Sequence, residues 1–533
     1  MAYRTHNCNE LTLKNLGETV TLAGWVDTVR DHGGVASVDL RGQYGITQIV
    51  VHEESMLASM HKENVISVTG EVVRRDEETV NPKLATGELE VHVKELTVLG
   101  ACTSPLPFDV SESTETREDV RSTYRFLDLR NKKVHDNILF RSEVVRFLRE
   151  KMESLGFTEI TTPILTCSSP EGARDYIIPS RKHEGKFYAL PQAPQQFKQL
   201  LMVSGFDKYF QIAPCYREGD ARADRSPGEI YQLDFEMAFA TQEDVFAVAE
   251  DVLYDTFTKF GGGKPVSKAP FRRIPFEEAM LKYGTDKPDL RNPLEIVDLT
   301  DYFRDVEFKP FQGRPVRGIV APGCGKQSKS FFEKMLQYAM SIGMKGLGYL
   351  TVLEDGSFKG PIAKFLSDEK KAALTEMLSL KTDDTLFFIC DSIKVVNLLA
   401  GQIRTALGER MNLIDKDRFE MCFITDFPMY EKNEEGKLDF THNPFSMPQG
   451  EMDALENQDP LTIKAYQYDI VCNGVELSSG AVRNHRPDIM IKAFELAGYT
   501  ADEVEKRFGA LFRAFHYGAP PHAGMAPGVD RMI

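Results

Sequence analysis

The sequence predicts a multidomain α+β protein, with a small N-terminal β-barrel followed by a larger mixed region that is interrupted by an inserted α/β domain. The first hundred residues contain five short segments rich in β-branched residues, separated by glycine and polar turns. From about Asp286, short mixed segments punctuated by Gly, Pro and Lys replace longer periodic ones. Similar combinations of acids and arginines occur on both sides of this segment, which indicates one discontinuous domain around an insertion.

The composition is that of an ordinary globular protein, with 42% hydrophobic and 27% charged residues in a chain of 533. No apolar run approaches the length of a membrane span, and the N-terminus lacks a signal peptide. The eight cysteines are scattered without a CxxC pair, which favours reduced thiols in a cytoplasmic protein over a disulfide or zinc framework. The net charge of −16 neither indicates nor excludes nucleic-acid binding, because an acidic protein can carry a basic face.

The barrel is assigned to residues 1–103. Strands are expected at 19–27, 35–41, 46–51, 65–73 and 88–96. Strict alternation in the last of these turns Leu89, Val91 and Val93 toward the interior. Five strands in this length fit a closed barrel of the OB type. Such barrels often bind single-stranded nucleic acid, and a purely structural barrel is an equally good interpretation of these residues.

The next segment, 104–133, is predicted to be a linker or hinge, because it begins with prolines and shows no apolar periodicity. A helix is then expected over 137–155, ended by Gly156. A strand follows over 157–165, where Pro163 suits the edge of a sheet.

The discontinuous domain is assigned to 134–284 and 419–533, and the inserted domain to 285–418. A buried strand is expected again over 418–428. The glycines of 321–328 (APGCGKQS) do not have the spacing of a phosphate-binding loop, so we interpret them as a turn.

The stretch 216–239, YREGDARADRSPGEIYQLDFEMAF, carries the strongest functional signal. Its first half is a loop with three arginines, Arg217, Arg222 and Arg225, and Arg181 lies further back. Its second half reads as a strand with Gln232, Asp234 and Glu236 on one face and Leu233, Phe235 and Met237 on the other. A row of acids behind an arginine-rich loop suits a phosphate site with a metal or an amine beside it, and a solvated strand face is the default alternative.

These segments, taken in order, resemble the bacterial type of aspartyl-tRNA synthetase, a class II aminoacyl-tRNA synthetase, over essentially the whole chain. The class markers are a helix and strand ending at Pro163, the Arg217 loop with its following strand, and GVDR at 528–531. Matches that are specific to aspartate are SPEGARDY at 169–176, PQQFKQLLM at 194–202, THNPF at 441–445 and NGVELSSGAVR at 473–483. GPIAKFL at 360–366 is similar to the inserted domain of the bacterial enzymes.

The resemblance implies an antiparallel catalytic sheet flanked by helices, a barrel that reads the anticodon, and a homodimer built partly on the first motif. It implies that ATP and L-aspartate react, with Mg²⁺ as cofactor, to give aspartyl-adenylate and pyrophosphate. The aspartyl group then passes to the 3′ end of tRNA-Asp, and whether tRNA-Asn is charged as well stays open.

The same resemblance assigns roles to the ATP side of the site. Arg217 is expected to bridge the α-phosphate and the substrate carboxylate, and Arg531 to bind the γ-phosphate. Asp469 and Glu476 are expected to hold Mg²⁺ through hard oxygen ligands. The other residues expected to contact ATP are Glu218, Gly219, Gly528, Val529 and Asp530.

For aspartate, the resemblance implies that Lys198 and Arg483 bind the side-chain carboxylate, because asparagine would leave these cations unpaired. Asp234 is expected to hold the substrate ammonium or to orient Lys198. The further substrate contacts are Glu171, Gln195 and His442. In the barrel, Arg30 and Gln48 match the anticodon contacts, and His32 and Glu78 occupy the positions linked to discrimination between tRNA-Asp and tRNA-Asn.

The sequence departs from the family pattern at a few positions. Gly219 stands where the family has a glutamate, and Ser37 where it commonly has an aromatic residue that stacks on a base. His32 favours relaxed tRNA specificity, whereas Glu78 replaces the glycine often found in relaxed enzymes. The chain ends at Ile533, directly after the third motif, so a fragment or a truncated enzyme is expected.

Two other functions stay open. One is a catalytically impaired paralogue that binds RNA or a partner, favoured by Gly219, Ser37 and the short C-terminus. The other is a tRNA-independent amidating ligase on the same catalytic fold, which the intact barrel argues against.

Overall fold

The computed structural model describes residues 3–168, 173–219 and 228–533. The chain divides into two compact units, Met1–Asn137 and Ile138–Ile533. In these described ranges no helix is both long and apolar enough to cross a membrane.

The first unit contains a closed five-stranded barrel, as the sequence predicts. The strands are β1 (Thr19–Asp31), β2 (Ala36–Arg41), β3 (Ile46–Val51), β4 (Val65–Arg74) and β5 (Leu89–Gly100). They close in the order β1-β2-β3-β5-β4. Leu89, Val91 and Val93 are buried in the barrel core, so the predicted alternation is confirmed.

The segment predicted to be an irregular linker contains short helices: α2 (Glu118–Thr123), α3 (Arg125–Asp128) and a 3₁₀ turn at Val110–Glu115. Another short helix, α1 (Glu54–Leu57), lies between β3 and β4. The Asp109 side chain accepts a hydrogen bond from the Ser111 N–H and caps the 3₁₀ turn. Buried Asp128 accepts a hydrogen bond from Arg121 Nε over 3.0 Å. Polar caps and ion pairs hold these turns, which explains why no apolar periodicity revealed them.

The second unit is built mainly from an eight-stranded sheet and surrounding helices. The strands of the whole unit that precede the inserted segment are β6 (Thr158–Glu159), β7 (Ile177–Pro179), β8 (Phe187–Ala189), β9 (Lys208–Tyr216), β10 (Glu229–Ala238) and β11 (Arg272–Pro275). Of these, β7 and β8 pair with each other outside the eight-stranded sheet. The inserted segment contributes β12 (Ile296–Asp298), β13 (Val316–Ala321), β14 (Gly348–Val352), β15 (Phe358–Lys359) and β16 (Thr385–Cys390). The strands after it are β17 (Met421–Thr425), β18 (Tyr430–Lys432), β19 (Leu438–Phe440), β20 (Gln467–Cys472), β21 (Val475–Val482) and β22 (His522–Met525).

The helices are α4 (Lys132–Ser154), α5 (Gln195–Val203), α6 (Gln242–Phe260), α7 (Phe276–Lys282), α8 (Lys329–Ser341), α9 (Asp368–Leu378), α10 (Val396–Arg410), α11 (Glu451–Asn457), α12 (Pro487–Leu496), α13 (Ala501–Phe515) and α14 (Val529–Met532). The eight-stranded sheet has the order β11-β17-β20-β21-β22-β10-β9-β6. Its central pairs are antiparallel, and only the edge pairs β11–β17 and β6–β9 are parallel. The expected antiparallel sheet flanked by helices is therefore confirmed.

Strand β10 shows why this sheet forms where it does. Leu233, Phe235 and Met237 alternate along it and pack into the main core with residues of α4 and α6. The opposite face, with Asp234 and Glu236, is also buried, at 1% and 0% exposure. The default interpretation of a solvated polar face is therefore wrong for these two acids, and their burial requires charged partners.

Three predicted boundaries differ from the structure. The strand expected over 157–165 shortens to β6, a two-residue edge strand, because Pro163 cannot donate a ladder hydrogen bond. Helix α4 begins at Lys132, before the start predicted at 137. Gly156, at φ 86°, follows its end, as predicted. The buried strand expected over 418–428 shortens to β17.

The inserted segment forms a separate antiparallel sheet with the order β12-β13-β16-β14-β15. Adjacent Phe387 and Phe388 on β16 point into two different cores, so both faces of this sheet are covered. The glycine stretch at 321–328 contains a single 3₁₀ turn at Cys324–Lys326, preceded by Gly323 at φ 67°, which agrees with its interpretation as a turn.

Candidate active site

A cavity of about 1540 Å³ lies against the eight-stranded sheet. Residues from the stretch 216–239, from NGVELSSGAVR at 473–483 and from GVDR at 528–531 line it. The predicted site residues that line the cavity are Gln195, Lys198, Arg217, Glu218, Gly219, Asp234, His442, Asp469, Glu476, Arg483, Gly528 and Arg531. The fold therefore brings most of the predicted set to one place.

Four charged side chains form a buried cluster in the wall of this cavity. The Lys198 Nζ donates a hydrogen bond to Asp234 Oδ1 over 2.8 Å and lies 3.4 Å from Glu236 Oε2. The Arg483 Nε donates to Glu236 Oε1 over 3.0 Å. None of the four side chains is more than 3% exposed. The cluster contains two cations and two carboxylates, so it is neutral as a whole.

The cluster is held in place by further hydrogen bonds. The Tyr209 hydroxyl donates to Asp234 Oδ2 over 2.7 Å, and Gln211 Nε2 donates to the Tyr209 oxygen over 2.6 Å. Burial raises the pKa of the Glu236 carboxyl, but attraction to Arg483 and Lys198 outweighs it and holds the pKa below its usual value. Glu236 is therefore a carboxylate that fixes both cations in position.

Two glycines allow β21, β22 and β10 to approach closely at this cluster. A Cβ on Gly524 would lie 2.0 Å from Glu236 Oε2 and 2.2 Å from the Phe235 carbonyl oxygen. A Cβ on Gly480 would lie 2.4 Å from the Gly524 carbonyl oxygen. The absence of side chains at both positions is therefore a requirement of the buried cluster.

A pair of acids, Asp469 and Glu476, lies on the hairpin formed by β20 and β21. Burial raises the pKa of Asp469 well above its usual value, and repulsion from Glu476 adds to the effect. The Ser479 hydroxyl donates to Glu476 Oε1 over 2.9 Å. Two carboxylates next to an open cavity fit the needs of Mg²⁺, which usually takes one or two protein carboxylates together with substrate phosphates. Within the described ranges no group of three or more His, Cys, Asp or Glu side chains could hold a metal ion alone.

Two cations face Glu476. The Lys287 Nζ lies 3.4 Å from Glu476 Oε2 and 3.2 Å from Asp286 Oδ1. Burial lowers the pKa of Lys287, but attraction to Asp286 and Glu476 outweighs it and raises the pKa above its usual value. The Arg531 Nη1 donates to the Glu476 carbonyl oxygen over 2.6 Å and lies 3.9 Å from its Oε1.

The loop after β9 brings Arg217 to the cavity. The Arg217 N–H donates to the Gly228 carbonyl oxygen over 2.8 Å, and the Glu218 N–H donates to the Arg174 carbonyl oxygen over 3.0 Å. Gly219 has φ 82°, a conformation that most side chains avoid. Glycine at this position, where the family has a glutamate, therefore suits the local backbone. Glu171, Arg222 and Arg225 lie outside the described residues.

The third motif is tied to the same sheet. Gly528 forms an isolated antiparallel β-bridge with Gln232. The Gly528 N–H donates to the Leu477 carbonyl oxygen over 2.8 Å. Val529 is fully buried in the main core. The Asp530 carboxylate accepts from Arg141 Nη1 over 2.7 Å and from the Tyr231 N–H over 3.0 Å. The Val529 and Asp530 side chains therefore anchor the motif to the core and the sheet, and the contact with ATP expected of these two residues stays a prediction.

Gln195 and His442 both line the cavity. Gln195 is 6% exposed, and its Nε2 donates to Gln199 Oε1 over 3.0 Å. Gln199 Nε2 in turn lies 3.1 Å from His522 Nε2. The His442 ring packs edge-on against Phe427, with ring centroids 5.1 Å apart.

Sequence reasoning missed several groups in the cavity. The set of site residues omitted Glu236, although its place in the row of acids on β10 was a usable signal. Lys287 lies in the charged run DKPDLR at 286–291, at the start of the predicted inserted domain, and no periodicity connects it to the site. Gln192 and Gln467 are buried, and their Oε1 atoms have no hydrogen-bond partner among the described residues. Single glutamines such as these belong to no periodic pattern or motif that would mark them as site residues.

The predicted residues of the barrel lie in the first unit. Arg30 Nη2 donates to Asp39 Oδ2 over 2.5 Å, and Gln48 Nε2 donates to Glu90 Oε2 over 2.8 Å. The His32 Nε2 lies 3.3 Å from the Ser37 hydroxyl, so these two departures from the family pattern contact each other. Glu78 lies apart in a 3₁₀ turn at Glu77–Thr79.

This combination of an OB barrel, an antiparallel sheet and a site of arginines and acids defines a class of enzymes, and comparison with known proteins supports the same class. The family described as tRNA synthetases class II (D, K and N) matches residues 117–533, and the OB-fold nucleic acid binding domain matches residues 20–99. The chain belongs to the class II tRNA synthetases of this D, K and N group.

Its relatives narrow the resemblance further. The chain is 56% identical over 546 residues to an aspartate–tRNA(Asp/Asn) ligase of Rickettsia prowazekii, covering 100% of this chain and 90% of the relative. It is 55% identical over 536 residues to an aspartate–tRNA ligase of Streptomyces coelicolor, covering 100% and 91%. The predicted resemblance to bacterial aspartyl-tRNA synthetases is confirmed.

Solved structures support the fold. An asparaginyl-tRNA synthetase of Pyrococcus horikoshii aligns with a TM-score of 0.59 at 18% identity, covering 99% of this chain and 93% of that one. An aspartyl-tRNA synthetase of Entamoeba histolytica aligns with a TM-score of 0.58 at 17% identity, covering 100% and 88%. Identities this low bear on the fold alone.

Proposed function

We propose that the protein is an aspartate–tRNA ligase, which activates L-aspartate with ATP and transfers it to the 3′ end of tRNA-Asp. The observation that carries the proposal is the buried cluster of Lys198, Asp234, Glu236 and Arg483, which lines the same cavity as Arg217 and the acid pair. The relatives named aspartate–tRNA ligases, at about 55% identity over the whole chain, support the same substrate.

In this proposal Lys198 and Arg483 bind the side-chain carboxylate of aspartate. Their carboxylate partners, Asp234 and Glu236, hold them in fixed positions before substrate arrives. Asparagine would desolvate the same cations without supplying a charge, so the cluster favours the acid over its amide. Gln195 and His442 would contact the amino-acid end, and the described acceptor atoms of Gln192 and Gln467 are available to the ammonium.

Adenylation needs little covalent chemistry from the protein, because the aspartate carboxylate itself attacks the α-phosphorus. Arg217 would hold that carboxylate against the α-phosphate with its planar fork, and Arg531 would bind the γ-phosphate at the far end. Glu218 and the glycine backbone at Gly219 and Gly528 would contact the nucleotide. Asp469 and Glu476 would hold Mg²⁺, which when bound neutralises charge on the phosphates.

The transfer step involves tRNA bound through the barrel. Arg30 and Gln48 would read anticodon bases, because polar side chains on an OB barrel can hydrogen-bond unstacked bases. We further propose that tRNA-Asn is charged as well. The contact of His32 with Ser37 and the names of the Rickettsia relatives, aspartate–tRNA(Asp/Asn) ligases, support this proposal. A cytoplasmic homodimer completes the proposal, supported by exposed apolar side chains such as Ile177 and Phe187 on the β7–β8 hairpin.

Charging of purified tRNA-Asp and tRNA-Asn with labelled aspartate tests the proposal directly. Both tRNAs should be charged, and replacement of Arg483 by alanine should abolish charging of both. Strict rejection of tRNA-Asn would remove the relaxed specificity but keep the ligase. Binding of tRNA-Asp without any charging would instead support the catalytically impaired paralogue.

A further inference from the structure

Lys287 lies at the acid pair although neither motif nor resemblance assigns it a role. Its ammonium is within 3.4 Å of Glu476 Oε2 and within 3.2 and 3.3 Å of the two Asp286 oxygens. Its side chain is 41% exposed, and it borders the cavity. The ammonium therefore occupies space next to a carboxylate that is expected to bind a divalent cation.

The loop that carries Lys287 is anchored on two sides. Before it, Gly284 lies so close to α10 that an added Cβ would meet the Asn397 carbonyl oxygen at 2.2 Å. After it, the Asp289 side chain lies 3.4 Å from the Cβ position of Gly474, in the turn of the β20–β21 hairpin. The Lys287 N–H donates to the Thr285 hydroxyl over 3.1 Å. The backbone of this loop is thus closely packed on both sides, and we expect a displacement of the Lys287 ammonium to involve its flexible side chain.

The charges around Glu476 explain what such a movement would do. Asp469 and Glu476 repel each other, and Lys287 is shared between Glu476 and Asp286. Arg531 Nη1 lies 3.9 Å from Glu476 Oε1 on the same carboxylate. A divalent cation that approaches Glu476 meets the lysine ammonium at the same carboxylate, and like charges at this distance repel strongly near a protein surface. Metal and ammonium therefore compete for one site.

We propose that Lys287 is a built-in counter-ion of the acid pair, and that the phosphates of ATP draw its ammonium away from Glu476 as the metal arrives. This inference rests on the proposed function. Displacement of the ammonium makes metal binding and ATP binding cooperative, because ATP moves the lysine away from the metal site and the metal favours the lysine position that meets the phosphates. Metal alone then binds weakly, which keeps the acid pair without a divalent cation until nucleotide is present.

Replacement of Lys287 by methionine separates the two effects. Manganese(II) alone, followed by its electron paramagnetic signal, should bind the Lys287→Met protein about 5- to 150-fold more tightly than wild type, the range of ordinary coupling energies. ATP, measured by equilibrium dialysis without aspartate, should bind more weakly to the same variant. The two affinities shift in opposite directions, which a purely structural role of Lys287 would not produce.

Two further variants make the experiment specific. Lys287→Arg keeps the charge and should retain the weak manganese binding of wild type. Lys282→Met on α7 removes a lysine that pairs with Glu278 outside the cavity, and should change neither affinity. Equal manganese affinity in wild type and Lys287→Met, or a Lys287→Arg protein that behaves like Lys287→Met, would overturn the proposal.

The experiment also distinguishes this inference from the proposed function. Aspartate-dependent ATP–pyrophosphate exchange is measured on the same wild-type preparation. Exchange together with unchanged metal affinity overturns the counter-ion role alone. Opposite shifts in an enzyme without exchange would support the counter-ion role and overturn the ligase.

Discussion

The Lys198 ammonium and the Asp234 carboxylate form a buried ion pair, with 2.8 Å between Nζ and Oδ1 and side-chain exposures of 2% and 1%. Burying both charges costs desolvation energy that their attraction only partly repays. Such a pair contributes little net stability, and its position in the cavity wall fits the proposed binding of a substrate carboxylate. The energetic consequence of breaking it is nevertheless large, because the remaining charge is left buried.

Replacement of Lys198 by methionine should therefore destabilise the unit Ile138–Ile533 by about 3–5 kcal/mol, since Asp234 loses its cation. Calorimetry on the whole chain measures this as a lower transition temperature. Lys437→Met serves as the control, because Lys437 is 77% exposed and pairs only loosely with Glu435. A Lys198→Met protein as stable as this control would contradict the description of the cluster.

The glycine at position 524 offers a test of the packing around Glu236. Gly524→Ala should cost about 1–3 kcal/mol and reduce aspartate-dependent activity, because the new Cβ would collide with Glu236 Oε2 and displace Arg483. Gly509→Ala in α13 is the matched control. Apart from the backbone of its own helix, its Cβ would meet no atom closer than 4.0 Å, and the helix is kinked at the preceding residue, Phe508, so this substitution should change the unfolding free energy little. Gly524→Ala should therefore lower the unfolding free energy more than Gly509→Ala.

The lowered pKa of Glu236 predicts how stability depends on pH. A carboxyl whose pKa is lower in the folded protein stabilises it above the unfolded value of 4.5, and this contribution is lost as the pH falls through the folded value. The stability difference between wild type and Glu236→Gln should therefore be full at about pH 7 and should shrink progressively below about pH 4.5. Urea unfolding of both proteins across this range measures it. A difference that grows as the pH falls would contradict the assignment of Glu236 as a carboxylate.

The barrel residues make a separate prediction. Gln48→Ala should weaken binding of tRNA-Asp by about 1–3 kcal/mol, the range for one base-reading contact. The structure adds a control, because Gln48 is held by Glu90. Glu90→Gln should weaken binding less than loss of Gln48 if Glu90 only orients it. Trp25, the single tryptophan, lies in β1 of this unit and provides a fluorescence signal for the titration. Unchanged affinity in Gln48→Ala would remove this residue from the anticodon site.

The alternation of apolar and polar residues along the sequence predicted the strands of the barrel. The barrel strands have period-two alternation, so their positions agree with the structure to within a few residues. The edge strand near Pro163 and the short helices after the barrel depend on individual hydrogen bonds and ion pairs, which no periodic pattern records. The resemblance supplied most of the predicted site residues that line the cavity, and it offered the pairing of Asp234 with Lys198 as one of two roles for Asp234, but it did not give the pairing of Glu236 with Arg483.

The other pairings of charges could not be predicted, because they depend on segments that are distant in sequence. Glu236 and Arg483 are 247 residues apart in sequence, and the contact follows from the neighbouring positions of β10, β22 and β21 in the sheet. Lys287 reaches Glu476 only because its loop is fixed between α10 and a hairpin turn. The pairing of Asp530 with Arg141, 389 residues away in sequence, has no local signal for the same reason.

Aspartate-dependent ATP–pyrophosphate exchange tests most directly whether the cavity activates aspartate with ATP. With Mg²⁺ and the wild-type chain, exchange should require L-aspartate, should be far slower with asparagine, and should be lost in Arg217→Ala. Exchange no faster with aspartate than without it would contradict activation of aspartate in this cavity.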